Sequence, residues 1–316
     1  MAKYLVTGGA GFIGSHIVDA LVARGDSVRV IDNLSTGQRG NLAQVADKIE
    51  FVEGCLTDAQ VVSEAVRGID VIFHQAALAS VPLSVERPLD THAHCVTATV
   101  NLLNEARQAN VKRVIYAASS SAYGDAATLA KRETDLPNPL SPYAAAKLSA
   151  EYYLQAFYHT YGIETVGLRY FNVFGPRQDP DSPYSAVIPI FITLLLQGER
   201  PVIYGDGEQS RDFTFVKNIA TANLSAADAQ QVAGRVINVA NGRSTSLLRL
   251  IELLNRELGT SVQPQHDPPR IGDVRDSMAD NTLARTLLNY EAEIDFETGL
   301  KMSIDYYRQL VASRSA

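Results

Sequence analysis

Tyr143 and Lys147 stand four residues apart in Tyr143-Ala144-Ala145-Ala146-Lys147, near the start of a helical stretch, so the two side chains share one helix face. An ammonium beside a phenol favours phenolate, and the pair reads as a general acid/base whose tyrosine pKa moves from about 10 towards neutrality. A second source of chemistry is Ala118-Ser119-Ser120-Ser121-Ala122-Tyr123-Gly124, which ends an apolar run and delivers hydroxyls that can hydrogen-bond a reacting oxygen. A third is Gly8-Gly9-Ala10-Gly11-Phe12-Ile13-Gly14, which holds both Gly9-x-Gly11-x-x-Gly14 and Gly8-x-x-Gly11-x-x-Gly14. Glycines so spaced permit a tight turn, close approach of backbone to a pyrophosphate, and packing of helix on strand. Asp32 follows at the end of the next apolar run. A carboxylate there accepts from the adenosine ribose hydroxyls and repels a 2′-phosphate, which favours NAD over NADP. The competing reading of Asp32 is a turn residue that starts Asp32-Asn33-Leu34-Ser35.

These groups must be held by regular elements, and the sequence supplies them. Short β-branched runs at 3–7, 27–31, 49–53, 70–74, 112–117 and 164–169 read as buried parallel strands. Segments near 12–24, 85–109 and 141–161 carry helical apolar spacing and alternate with those strands. The expected fold is α/β, a Rossmann-type doubly wound parallel sheet with a smaller C-terminal α/β substrate domain. Residues 1–175 form the dinucleotide-binding part and 176–316 mainly the substrate part, with some later segments returning to the first. The change of texture is marked by Pro176, Pro180, Pro183, Pro189 and Pro201 and by Gly205-Asp206-Gly207. A late strand at 236–239 and a helix at 245–258 follow, and the ligand cleft belongs at the carboxyl ends of the strands.

The bulk properties narrow the partners. Lys plus Arg is 28 and Asp plus Glu is 35, a net charge of −7 that opposes nucleic acid and anionic membrane alike. The longest apolar stretch, Val187 to Leu196, falls short of the roughly 18–20 residues of a membrane span. With no signal-like opening segment and only two cysteines, Cys55 and Cys95, the chain is expected to be cytoplasmic with both thiols reduced. His92 and His94, two apart on a helix, point in different directions, so no metal site is expected.

The chain resembles the extended short-chain dehydrogenases/reductases, and among them UDP-sugar 4-epimerases of the kind acting on UDP-N-acetylhexosamines. The likeness spans essentially the whole sequence. It is carried by Thr7–Gly14, Asp32-Asn33-Leu34, Tyr143 with Lys147, Leu168-Arg169-Tyr170-Phe171-Asn172-Val173-Phe174-Gly175, Ser210-Arg211-Asp212-Phe213 and Arg270-Ile271-Gly272-Asp273-Val274. The resemblance implies Tyr143 as general base, Lys147 as its partner and nicotinamide ribose ligand, and Ser119 as the catalytic serine. It implies NAD held by Gly8, Gly11, Phe12, Ile13, Gly14, Asp32, Asn33, Ser35, Thr36, Gly37, Leu56, Gln75, Ala76, Ala77 and Tyr170 together with Tyr143 and Lys147. The UDP-sugar would meet Ser119, Ser120, Ser121, Tyr143 and Asp273, its diphosphate held by Asn172, Arg211 and Arg270 and its uracil flanked by Val187, Ile203 and Tyr204. A homodimer through the helices near 95–109 and 141–160 is implied as well.

Within the resemblance, particular residues select the reaction. Relatives that eliminate water or decarboxylate carry an acid just after the catalytic serine, whereas this chain has Ser120 and Ser121. Reversible oxidation at C4 through a 4-keto sugar, with NAD regenerated, remains. Ser277 occupies a gatekeeper position that is bulky in enzymes confined to UDP-glucose and UDP-galactose, so room for an N-acetyl group is expected. UDP-GlcNAc/UDP-GalNAc is therefore the first expected pair and UDP-Glc/UDP-Gal the second. A UDP-glucose 4-epimerase without N-acetyl activity, a UDP-glucuronate 4-epimerase, and a non-catalytic NAD-binding sensor are the rival readings. Two positions depart from the pattern: Cys55 replaces the usual acid at the adenine contact, with Asp58 three residues on, and Cys95 replaces a usual active-site Asn.

Overall fold

The computed structural model describes residues 2–126, 128–181, 186–269 and 274–315. Seven strands form one sheet: β1 (Lys3–Thr7), β2 (Ser27–Asp32), β3 (Ile49–Glu53), β4 (Val71–His74), β5 (Arg113–Ser119), β6 (Glu164–Tyr170) and β7 (Arg235–Val239). Every pairing is parallel, in the order β7-β6-β5-β4-β1-β2-β3. The order reverses at β1, which pairs β2 on one side and β4 on the other. The loops that leave β1 and β4 therefore diverge to opposite faces and open a crevice between them.

Both faces of the sheet are buried, and alternate residues serve different cores. Val6, Val30, Phe73 and Ile115 join one cluster, while their neighbours Leu5, Ile31, Ile72 and Val114 join another. The first face is covered by α1 (Phe12–Ala23) and, from the second half of the chain, Val216–Asp228. The second face is covered by α2 (Ala59–Ala65), α3 (Ala98–Gln108) and α4 (Pro142–Tyr161). This double burial explains why the strands read as unbroken β-branched runs. A third cluster surrounds Phe174, Phe213, Phe215 and Phe296, enclosed by the helices Val187–Leu196, Leu247–Leu258 and Phe296–Ser315. β7 comes from beyond residue 175 yet completes the sheet beside β6.

The expected helix over 85–109 is broken into pieces. Pro88 lacks an amide hydrogen and drives the residue before it out of helical conformation, and Arg87 accordingly sits at φ −132°, ψ 64° between Val81–Glu86 and Pro88–His92. A π-turn over Ala93–Thr97 follows and carries Cys95 before α3 resumes regular winding. By contrast α4 runs as its sequence predicts: Ser141 caps its start by accepting from the Ala144 amide at 3.2 Å, Pro142 fills its first turn, and Gly162 ends it at φ 75°.

Candidate active site

The crevice at the sheet's reversal is a cavity of about 1300 Å³ that continues from the glycine loop past the ends of β4 and β5 to Arg211 and Ser277. At its dinucleotide end, Gly8 has φ +65°, and a Cβ there would stand 2.7 Å from the Ala76 amide nitrogen. A Cβ on Gly14 would stand 2.2 Å from the Gly8 carbonyl oxygen. Neither neighbour is a movable side-chain tip, so the strand, turn and helix approach at distances that only glycine allows. The first turn of α1 then presents its amides to the same cavity, the arrangement that receives a pyrophosphate.

Asp32 serves its turn and also lines the cavity. Its Oδ2 accepts from the Ala10 amide at 3.0 Å and its Oδ1 from the Leu34 amide at 2.8 Å. Each carboxylate oxygen keeps a lone pair, so Asp32 fastens the glycine loop to the next turn and still faces the cavity ready to accept hydroxyls. The cradle, the helix end and this acceptor fit an NAD molecule.

Most of the expected residues line this one cavity. Gly8, Gly11, Phe12, Ile13, Gly14, Asp32, Asn33, Ser35, Thr36, Leu56, Gln75, Ala76 and Ala77 surround its first half, and Ser119, Ser120, Ser121, Tyr143, Lys147, Tyr170, Asn172, Arg211 and Ser277 the second. Gly37 is packed behind Asp32, where a Cβ would stand 2.9 Å from both carboxylate oxygens. Arg270 and Asp273 lie outside the described residues. The three residues expected to flank uracil are not among the described residues that line the cavity: Ile203 is fully buried in the third core, Val187 packs on that core, and Tyr204 belongs to a short strand paired with Asp267. Ala186 lines the cavity in their place. The sequence reading also missed one wall, formed by Leu78, Val81, Val85 and Arg87, whose composition carries no motif.

The expected catalytic trio, Ser119, Tyr143 and Lys147, comes together where β5 ends. Ser119 Oγ accepts from the Ser121 amide at 3.2 Å and the Ser121 hydroxyl at 2.8 Å, which leaves its own hydrogen for the Tyr143 oxygen. Lys147 is buried and donates from Nζ to the Ala117 carbonyl at 2.8 Å, with Nζ 6.0 Å from the centre of the Tyr143 ring. The expected lowering of the phenol's pKa is absent. Burial pushes Tyr143 above the ordinary phenol range, the nearby Cys95 thiol adds to this, and a hydrogen bond with Ser119 opposes it. Burial likewise holds Lys147 below the usual lysine range. In this arrangement desolvation outweighs an ammonium that is engaged with a backbone carbonyl.

A hydrogen-bond chain joins the glycine loop to the Cys95 turn. Thr99 gives its hydroxyl hydrogen to the Cys95 carbonyl at 2.6 Å, so it accepts from His74 Nε2 at 2.9 Å. His74 Nδ1 must then accept from the Thr7 hydroxyl at 2.8 Å, while the Ala76 amide donates to Thr7 Oγ1 at 3.2 Å. The network assigns His74 as the neutral Nε2–H tautomer, consistent with burial and the charge of Lys147 lowering its pKa to about 3. Cys95 itself is buried and its sulfur faces the Leu78 carbonyl at 3.9 Å. Cys55 faces the cavity and accepts from the Thr57 hydroxyl at 3.1 Å. Asp58 does not substitute for it, because its carboxylate caps α2 through the Gln60 amide at 2.9 Å.

Comparison with known proteins agrees with this geometry. Residues 4–240 match the NAD dependent epimerase/dehydratase family. The chain belongs to that family. Its cofactor is NAD. A UDP-glucose 4-epimerase of Mycolicibacterium smegmatis is 38% identical over 311 residues, covering 97% of this chain and 98% of that protein. The crystal structure of UDP-glucose 4-epimerase with UDP-glucose from Thermotoga maritima shares 38% identity at a TM-score of 0.93, covering 98% of this chain and 99% of that one. The UDP-N-acetylglucosamine 4-epimerase from Methanobrevibacter ruminantium, in complex with UDP-N-acetylmuramic acid, shares 42% identity at a TM-score of 0.94 with coverage of 98% and 99%.

Proposed function

We propose that this member of the family is an NAD-dependent UDP-hexose 4-epimerase that interconverts UDP-GlcNAc and UDP-GalNAc, with UDP-Glc and UDP-Gal as a second pair. The observation that carries the reading is the presence of Ser119, Tyr143, Lys147, Arg211 and a small Ser277 on the walls of one cavity that begins at the dinucleotide cradle. Bound NAD supplies the acceptor and returning donor of the C4 hydride, and a positive charge that favours the phenolate. Tyr143 then takes the proton of the 4-hydroxyl and returns it after the 4-keto sugar has presented its other face. Ser119 turns the one hydrogen it gives Tyr143 towards O4 when the sugar binds, and so orients O4 beside the tyrosine. Lys147, fixed by the Ala117 carbonyl, holds its charge near the ring. No carboxylate follows Ser119, since Ser120 and Ser121 occupy those positions, and this disfavours elimination of water from the intermediate.

In this reading Arg211 and Asn172, both on the cavity wall, hold the diphosphate, and the resemblance adds Arg270 as a second cation. In this reading residues 1–175 and β7 serve the cofactor, and most of 176–316 serves the sugar nucleotide. A homodimer is supported by exposed aromatic groups on α4, where Tyr152 is 56% and Tyr153 43% exposed. Cytoplasmic placement is supported by two free thiols, Cys55 and Cys95. Among the described residues no helix is long and apolar enough to cross a membrane.

The test is incubation of purified protein with UDP-GlcNAc, and separately with UDP-glucose, with C4 configuration followed by proton NMR. Appearance of UDP-GalNAc is the expected result. Conversion of UDP-glucose alone removes the N-acetyl reading, and no conversion of either after NAD addition removes the epimerase reading.

A further inference from the structure

Arg211 and Ser277 reach the cavity from two strands that share a clasp. Ser210–Arg211 pairs antiparallel with Thr245–Ser246, and Ser210 also forms an isolated parallel bridge with Asp276. Along that second edge, three consecutive residues are tied down. The Ser210 amide donates to the Arg275 carbonyl at 2.9 Å, and Arg211 Nη1 donates to the same oxygen at 3.1 Å. The Ser210 hydroxyl donates to Asp276 Oδ1 at 2.6 Å, and the Ser277 amide donates to the Ser210 carbonyl at 3.2 Å. Of these four bonds, only the one between Ser210 and Asp276 runs between two side chains, and it is charge-assisted and short. It sits immediately before Ser277, the residue that faces the sugar in the proposed function.

We infer that Asp276, held by the Ser210 hydroxyl, is a specificity-positioning residue: it sets where the Ser277 strand stands and so how much room the cavity gives the substituent on C2 of the hexose. The inference rests on the reading of Ser277 as the wall of the sugar pocket. Asp276 touches no substrate. It acts through the backbone of its neighbour, and because Ser210 precedes Arg211 the clasp places the sugar wall in register with the cation that takes the diphosphate. An acceptor at 276 is what the clasp needs, whether carboxylate or amide.

The experiment uses the full-length enzyme with Ser210→Ala, Asp276→Ala, the two combined, and Asp276→Asn. It measures kcat/KM for UDP-GlcNAc and for UDP-glucose, and the dissociation constant of UDP. Either alanine variant is expected to lower the UDP-GlcNAc to UDP-glucose preference about fivefold, the net worth of one side-chain hydrogen bond. The double variant is expected to do no more than either single one, because both remove the same bond. UDP binding is expected to stay within about twofold, and Asp276→Asn to keep the preference, since its Oδ1 accepts the same hydrogen. An unchanged preference in both alanine variants overturns the inference. So does UDP binding weakened as much as the preference shifts, which makes the clasp a support for Arg211 only. Ser277→Tyr separates the two levels: if it leaves N-acetyl turnover intact, the proposed substrate reading fails. If it blocks that turnover while the alanine variants change nothing, the clasp alone fails.

Discussion

The two ends of the cavity are built by different means. At the cofactor end the shape is a property of backbone: Gly8, Gly14 and the start of α1 approach within distances that admit no side chain, and the Ala10 and Leu34 amides fix the Asp32 carboxylate. At the substrate end the walls are side chains on short strands and loops, held by single bonds such as Ser210 to Asp276 and Gln178 Nε2 to the Val173 carbonyl at 3.2 Å. Backbone shape tolerates little change, whereas single ties can be exchanged one at a time. A family built this way keeps its redox partner and varies its sugar.

The proposed catalytic residues lie between the two ends, and the largest expected effect is there. Tyr143→Phe removes the proton acceptor while leaving the ring, so kcat is expected to fall by about three to four orders of magnitude with UDP binding little changed. Full turnover by this variant, measured under saturating UDP-GlcNAc, removes Tyr143 from the mechanism. Next comes the cradle. Gly14→Ala puts a methyl 2.2 Å from the Gly8 oxygen, so strand and helix must separate and the pyrophosphate seat goes with them. A loss of NAD affinity of about a hundredfold or more is expected by titration, with thermal stability also lowered. If affinity survives, the comparison between a rigid cofactor end and an adjustable substrate end breaks.

The substrate end should respond selectively instead. Ser277→Tyr fills the space next to the sugar, and UDP-GlcNAc turnover is expected to drop about ten- to two-hundredfold relative to UDP-glucose. Equal loss with both sugars indicates general disruption and denies the selective role.

How much of this was legible beforehand follows the same division. The six early strands, α1, α4 and the glycine cradle were readable because both-face burial demands β-branched runs and because Gly8, Gly14, Ser141, Pro142 and Gly162 each meet a backbone requirement that few residues satisfy. The break at Arg87 was legible from Pro88 but was overridden by the apolar spacing around it. The π-turn over Ala93–Thr97, whose Cys95 carbonyl accepts from the Thr99 hydroxyl, had no signal in the sequence. The burial of Ile203 was not legible, because an apolar residue beside a loop looks the same whether it faces a ligand or a core. The state of Tyr143 was misread for a related reason: i, i+4 spacing shows that Lys147 shares its face, but not that the ammonium is turned to the Ala117 carbonyl.

Two ties cross from the cofactor helix to the loop after residue 175, and one of them offers the gentlest way to sharpen the comparison. His16 of α1 donates from Nε2 to the Pro176 carbonyl at 3.0 Å, and Asp19 one turn on pairs with Arg177 at 2.7 Å. Burial lowers the pKa of His16 to about 4, the Arg177 charge adding to it and the Pro176 bond opposing. The folded pKa therefore lies below the unfolded one, about 6.5. Protons bind the unfolded chain first, so the stability His16 confers is complete above about pH 6.5 and drains away as pH falls towards 4. The expected loss from this group is about 2 kcal/mol by pH 5, with His74 adding to it in the same direction. In His16→Gln the amide still donates to Pro176 but does not titrate, and chemical denaturation between pH 7 and 5 should show a shallower decline than the parent protein. Identical slopes would mean that the join between cofactor helix and substrate loop does not take up the proton, and that acid acts through His74 and the sheet core.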